Sequence, residues 1–248
     1  MSLTDSIKQI IKRVSGGSAH PPQSPSQNGE NMPAKPDTIA AATKAANYLI
    51  IRTAAIRGIE GKDWYSNART SLSALCHNEG FNYTIFIKVM GATSPQCPVW
   101  MNIRHTIRVM RSLKANNQDV YAAVAAVPAL AGSVRKATIK TLLSEDTSTL
   151  GPKTRCFSEN LLGNEDMVTL DTWMGQLVGL SAKRSGSVTS KTVSVPYNST
   201  IKMVAQNFGW TPAMVQAACW TYASSKLGNI NHGETDLEAA ISRAIETA

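Results

Sequence analysis

The sequence predicts an all-α protein. From residue 37 onward, apolar side chains recur at the three- and four-residue steps of a helix in almost every segment. Capping residues and glycines fall where such helices would begin and end, as Asp37 and Gly58 do around the first helix. Only residues 188–195 alternate in the manner of a strand, and one short hairpin cannot form a sheet core.

Turn residues divide the helical pattern into separate elements. The predicted helices cover residues 37–57, 63–77, 83–89, 100–113, 119–127, 133–143, 152–162, 172–180, 199–208, 212–227 and 235–247. Residues 15–36 are rich in Ser, Gly, Pro, Gln and Asn and have almost nothing to bury, which predicts a flexible linker. Ile7, Ile10, Ile11 and Val14 before it follow a helical step, typical of a short docking helix or a frayed tail, and we predict an N-terminal tail and linker over residues 1–36. The helical domain is then predicted at residues 37–248.

The charge balance favours a polyanionic partner. The formal net charge is +8 and the sequence pI is about 9.4, and cationic side chains that neutralise phosphates release condensed counterions. Basic residues also recur at helical steps in two segments: Arg104, Arg108, Arg111 and Lys114 in one, and Arg135, Lys136 and Lys140 in the other. Such stripes fit either a phosphate backbone or a solvated helix face.

Several classes of protein are disfavoured by composition. No apolar run approaches the roughly 20 residues of a membrane-spanning helix, and residues 1–14 contain no secretory apolar core, so we expect a cytoplasmic protein without a membrane partner. The cysteines form no CxxC pair and the histidines lie far apart, so we expect no metal and no other cofactor. The cysteines are Cys76, Cys97, Cys156 and Cys219.

Residues 133–162 predict a helical hairpin. Ser133 can cap a basic helix, a polar turn follows at residues 145–149, and Gly151 and Pro152 open the next helix. Proline suits the first helical position because its missing N–H is not needed there. A tight turn between two helices leaves free backbone N–H groups at the second N-terminus, which makes that terminus a phosphate site.

Two stretches in this region resemble the helix-hairpin-helix DNA glycosylases. LGPKTRCFSENL is similar to that family's hairpin, and VTLDTW is similar to the entry to its catalytic aspartate. Lys153 and Asp171 are 18 positions apart, as in the endonuclease III branch. The resemblance implies two helical lobes with a cleft between them, Lys153 as a Schiff-base nucleophile and Asp171 as the carboxylate that assists departure of the base.

The resemblance extends less specifically over residues 85–113 and 197–222, the latter resembling virus-encoded members. It implies double-stranded DNA as the partner of a monomer, with contacts from Gly151, Thr154, Arg155, Arg135, Lys136, Gln96, Trp100, Asn102 and Trp173. The chain departs from the family in three ways: Thr149 stands where the hairpin's first glycine belongs, Thr172 and Trp173 follow the aspartate where endonuclease III has Thr-His, and the iron–sulfur cysteines are absent.

The expected activity is therefore that of a DNA glycosylase with associated lyase activity at abasic sites, acting on a damaged or modified base, in the host cytoplasm if the protein is viral. Cleavage of a glycosidic bond builds positive charge on the sugar, which a fixed carboxylate stabilises. Two alternatives remain open. One is an enzyme of the same fold that substitutes a base during thymine hypermodification, and the other is a helix-hairpin-helix protein that only binds DNA.

Overall fold

A computed structural model describes residues 36–95, 97–130, 132–180, 188–227 and 236–248, with side chains described from residue 47 onward. The predicted tail at residues 1–36 lies outside the described residues except for Pro36, and Gln96 lies outside them as well. Throughout the described part the chain is helical and contains no β-strand, so the predicted all-α class is confirmed.

The helices follow one another through short connections. They are α1 (Pro36–Arg57), α2 (Trp64–Glu79), α3 (Tyr83–Thr93), α4 (Val99–Ala115), α5 (Val120–Ala125), α6 (Gly132–Leu142), α7 (Pro152–Leu161), α8 (Thr172–Leu177), α9 (Lys191–Phe208), α10 (Pro212–Leu227) and α11 (Leu237–Thr247), with a 3-10 turn at Ile59–Gly61.

Polar caps fix several helix ends where the sequence places them. The Asn82 side chain accepts a hydrogen bond from the Ile85 N–H at 3.0 Å and so begins α3. Gly80 ends α2 in the left-handed conformation, with φ of 62°, which costs glycine little. The α3 helix runs through Gly91 to Thr93, beyond its predicted end at Val89.

The predicted strand at residues 188–195 is wrong. Helix α9 begins at Lys191 and continues through Pro196 to Phe208. Val195, one of the alternating apolar residues, is 61% exposed, so the alternation does not mark a buried sheet face. Burial instead follows the helical spacing of the buried residues Tyr197, Thr200, Ile201, Val204 and Ala205.

Two groups of buried apolar side chains form the interior. The first cluster includes Leu72, Phe86 and Ile107 and is built mainly from α2 to α5, with α7 and α11 against it. The second cluster includes Ile51 and Ile201 and is built from α1, α8, α9 and α10. Alternate positions of α10 contribute to each, because Ala213 and Ala217 belong to the first cluster and Val215, Ala218 and Cys219 to the second.

The predicted hairpin has helices at residues 133–143 and 152–162, and α6 and α7 lie at these positions, but the connection between them is not a tight turn. Residues 143–151 join the two helices through an irregular loop. The buried Lys88 on α3 donates its Nζ proton to the Ser144 carbonyl and so ties the loop to the first cluster. Asp146 accepts the Ser148 N–H at 2.9 Å, and the Thr147 hydroxyl donates to Glu159 on α7. Side-chain bonds therefore shape the loop where the prediction relied on glycine.

Helix α10 approaches the end of α1 at a glycine. A Cβ atom at Gly58 would overlap the backbone carbonyl oxygen of Ala218 and lie 2.9 Å from the backbone nitrogen of Tyr222. The φ of Gly58 is −111°, which other residues also adopt, so the requirement for glycine is one of space. The approach sets the position of α10, which carries part of the site described below.

Replacing Gly58 with alanine should lower the free energy of unfolding by about 1–3 kcal/mol, because the added methyl group meets backbone atoms that cannot rotate away. Urea unfolding followed by circular dichroism measures this change. Gly151→Ala is the control, since its Cβ would have no neighbour closer than 3.8 Å, and its effect should be smaller. Equal effects of the two substitutions would contradict the packing argument.

Candidate active site

A cavity of about 360 Å³ lies where the two clusters meet. Its walls come from α2, α3, α4, α7, α8 and α10 and from the segments before α4 and α8. Apolar and aromatic side chains provide most of the lining, with a few polar groups among them. This composition is typical of a binding site for a small, largely apolar group that needs specific orientation.

Asp171 lines the cavity and caps α8. Its Oδ1 accepts the Met174 N–H at 2.9 Å, and its Oδ2 accepts the indole N–H of Trp220 on α10 at 3.0 Å. The local sequence explains this position, since aspartate is a preferred N-cap and the buried Val168 and Leu170 anchor the segment before it. With a donor on each oxygen, the carboxylate has a fixed orientation.

Burial raises the pKa of the Asp171 carboxyl group above its usual value. The positive charge of Lys153 opposes this shift, as do the hydrogen bonds from Met174 and Trp220, because each favours the ionised form. The carboxylate is therefore in a water-poor setting where its charge interacts strongly with any nearby cation.

Lys153 lies in the first turn of α7 and lines the same cavity. It is partly buried and interacts electrostatically with Asp171, although among the described residues the two form no direct ion pair. No side chain caps α7 at Gly151, and Pro152 occupies its first turn. The structure thus brings the predicted pair together across one cavity.

Aromatic rings surround this pair. Trp64 and Trp220 have ring centroids 6.3 Å apart, and Trp64 and Phe157 have centroids 6.2 Å apart. Tyr65 meets Trp64 edge-on at 5.1 Å, and Trp173 lines the cavity beside Asp171. These rings offer the faces and edges on which a flat aromatic ligand can stack.

A buried polar network, which the sequence did not reveal, connects the cavity to the interior. The Tyr65 hydroxyl bonds to Gln216 Oε1 at 2.9 Å and to Thr169 Oγ1 at 3.0 Å, and Asn160 Nδ2 donates to Thr169 Oγ1 at 3.3 Å. Burial raises the pKa of Tyr65 to about 12, so its hydroxyl keeps its proton. No local motif marks these residues, because they meet only when α2, α7 and α10 pack.

Only some of the predicted pocket residues line the cavity in the described part of the chain. Asn102 and Trp173 line the cavity. Trp100 is not among the described lining residues; it packs on the first cluster, with the Arg243 guanidinium 3.8 Å from its ring centroid. Gln96 lies outside the described residues.

The predicted backbone-binding residues Arg135 and Lys136 lie on α6, and Gly151, Thr154 and Arg155 lie at or near the start of α7. Lys136, Gly151 and Arg155 are exposed, and the Thr154 hydroxyl donates to the Gly151 carbonyl at 3.1 Å. Arg135 is engaged within the fold, since its Nε donates to the Leu130 carbonyl at 2.8 Å. The exposed members remain available to a polyanion.

The basic side chains along α4 form hydrogen bonds and an ion pair with other helices of the protein. Arg104 and Arg108 donate to the Thr247 carbonyl at the end of α11, at 2.9 and 2.8 Å. Arg111 pairs with Glu79 at the end of α2, at 2.8 Å. Arg104 and Arg108 thus satisfy a carbonyl group at a helix C-terminus that lacks a helical partner.

Comparison with known proteins places the chain in a family. Residues 37–227 match the group described as "Family of unknown function (DUF7178)". The chain belongs to this family. No curated protein and no solved structure matches it. The matched range includes Lys153, Asp171 and every described residue of the cavity, so in this DUF7178 protein the site lies within the family's shared region.

Within the described ranges, no three His, Cys, Asp or Glu side chains are grouped so that they could hold a metal ion. None of the helices in that part of the chain combines the length and apolar character needed to cross a bilayer.

The raised pKa of Asp171 predicts a pH dependence of stability. The carboxyl group has a higher pKa in the folded protein than in the unfolded chain, where its pKa is about 3.9. At pH values between these two pKa values, folding is therefore accompanied by the uptake of a proton. Wild type should therefore lose stability relative to Asp171→Asn as pH rises from about 4 through the folded pKa. Urea unfolding of both proteins across this range measures the difference.

Asp146→Asn is a control of opposite sign. Hydrogen bonds from Ser148 lower the pKa of Asp146, so its contribution to stability is present above the ordinary aspartate pKa and is lost as pH falls through the folded value. A wild-type to Asp171→Asn difference that stays flat or rises with pH would mean that the carboxyl group is not desolvated.

Proposed function

We propose that the protein is a DNA glycosylase of the helix-hairpin-helix type with lyase activity at abasic sites. The observation that carries the proposal is that Lys153 and Asp171, 18 positions apart in the sequence, line one aromatic cavity. A lysine at a helix start and an aspartate at an N-cap are individually common. Their meeting at a cavity with stacking rings is the arrangement that the resemblance implies.

Asp171 would stabilise the sugar during bond cleavage. As the N-glycosidic bond breaks, positive charge develops on the sugar ring. A carboxylate held by Met174 and Trp220 needs little reorganisation to oppose that charge, and burial strengthens the interaction relative to water. The hydrogen bonds and the charge of Lys153 favour the ionised carboxylate that this role needs.

Lys153 would act as the nucleophile. The Lys153 ammonium group first loses a proton to solvent, and the free amine then forms a C–N bond to C1′ of the nucleotide while the bond from C1′ to the base breaks and a second proton from the nitrogen leaves with the base. The sugar ring then opens to a Schiff base as the bond from C1′ to O4′ breaks and O4′ takes up a proton from solvent. Loss of a C2′ proton from that intermediate expels the 3′ phosphate, which is the lyase step.

The aromatic walls would receive the extruded base. An enzyme that acts on a base within a duplex must flip it out of the stack, at a cost of a few kcal/mol. Stacking on aromatic rings offsets about 1–3 kcal/mol per base. Trp64, Phe157 and Trp220 supply such rings beside Asp171.

The hairpin would hold the DNA backbone. The uncapped N-terminus of α7 and the exposed Lys136 and Arg155 can contact phosphates, and the net charge of +8 favours this contact. On this proposal the two clusters correspond to two lobes and the cavity to the cleft between them. The protein would bind double-stranded DNA as a monomer, in the cytoplasm.

Borohydride trapping tests the proposal. Wild type incubated with duplex DNA containing an abasic site should form a covalent adduct, and Lys153→Ala should form none. Lys202→Ala removes an exposed lysine on α9, outside the described cavity lining, and should trap like wild type. On duplexes that carry a damaged base, Asp171→Asn should lower the rate of base release by about a hundredfold or more.

Other outcomes separate the alternatives. Absence of an adduct with every DNA tested would contradict the lyase mechanism. Conversion of a base to a larger nucleoside, detected by mass spectrometry, would indicate base substitution in place of excision. Salt-sensitive DNA binding that survives Asp171→Asn, with no bond cleaved, would indicate a protein that only binds DNA.

A further inference from the structure

Two buried amide side chains reach the cavity from different helices. Gln216 on α10 and Asn102 on α4 both line it, and each residue is only 3% exposed. Neither contacts the Asp171 carboxylate through a described hydrogen bond. The chemistry assigned to Lys153 and Asp171 therefore leaves the role of these amides unexplained.

In both amide groups, the oxygen atom is hydrogen-bonded to a hydroxyl group of the protein. The Tyr65 hydroxyl bonds to Gln216 Oε1 at 2.9 Å, and the Thr93 hydroxyl donates to Asn102 Oδ1 at 2.6 Å. A carbonyl oxygen can only accept, so Tyr65 is the donor to Gln216. Among the described residues, the hydrogen bonds of these two amide groups involve their oxygen atoms, and none has Gln216 Nε2 or Asn102 Nδ2 as its donor.

An amide N–H group without a partner in a desolvated site costs about 1–3 kcal/mol, so a ligand that fills the cavity must supply acceptors. Thymine and uracil carry a carbonyl oxygen on each side of the N3–H group. Adenine and cytosine place an amino group at the corresponding edge, and that group would meet the amides donor to donor. Guanine has one carbonyl group, and an amino group replaces the second carbonyl group on the other side of its N1–H group.

We infer that the cavity selects a 2,4-dioxopyrimidine base, of the uracil and thymine class, through N–H donation from Gln216 and Asn102 to its two carbonyl oxygens. This inference rests on the proposed function, because it names the base that the glycosylase would take. Tyr65 and Thr93 are positioning residues, since they fix which end of each amide faces the cavity.

Binding of free bases tests the inference without any bond cleavage. Trp64, Trp173 and Trp220 line the cavity, so tryptophan fluorescence should report its occupancy. Titration with uracil, thymine, cytosine, adenine and guanine should show at least about tenfold tighter binding of uracil and thymine. Equal binding of all five bases by wild type, or a preference for an amino-bearing base, would overturn the inference.

The variant Gln216→Met tests whether the Gln216 amide causes the preference for uracil and thymine. Gln216→Met keeps the length of the side chain and removes the donor, so binding of uracil should weaken about tenfold while binding of cytosine changes little. Gln206→Met, on the exposed face of α9, is the matched control and should retain the preference. An unchanged preference in a folded Gln216→Met protein would also overturn the inference.

The binding and trapping experiments fail independently. A preference for uracil and thymine without any borohydride adduct supports the specificity and contradicts the glycosylase mechanism. An adduct formed by a protein that binds all five bases alike supports the mechanism and overturns the specificity.

Discussion

The site depends on the hydrogen bond from the Trp220 indole to the Asp171 carboxylate, which joins α10 to the start of α8. The other oxygen of this carboxylate accepts the Met174 N–H, so Asp171 supplies an acceptor both to the start of α8 and to the indole. Removing the indole from this pair would leave a buried oxygen without a donor, at a cost of about 1–3 kcal/mol. Helix α10 is thereby held in a position from which Gln216 also reaches the cavity.

Close packing of α10 against the segment that follows α1 also fixes the position of α10. Gly58 and Gly61 face Ala218 and Thr221 with no room for a Cβ atom. Because α10 contributes apolar residues to both clusters, a shift at this contact would pass to each of them. The cavity therefore depends on how α10 packs between the first and second clusters. Its polar groups are oriented before any ligand binds.

Local chemistry made part of this arrangement predictable. Asp171 as an N-cap and Lys153 at a helix start follow from residue preferences, and the helical period fixed the class. The contact between Tyr65 and Gln216 spans 151 positions and could not be read from either neighbourhood. The strand at residues 188–195 was mistaken because alternation alone does not show burial. The long hairpin loop is shaped by Lys88, a residue from another helix.

The charges of Lys153 and Asp171 act on each other across the cavity. Carbon-13 NMR of the aspartate carboxyl groups, recorded as a function of pH in wild type and in Lys153→Met, measures this interaction. The pKa of Asp171 should be higher in the variant, because the cation that favours the ionised carboxylate is gone. An Asp171 pKa that is unchanged or lower in the variant would contradict this interaction.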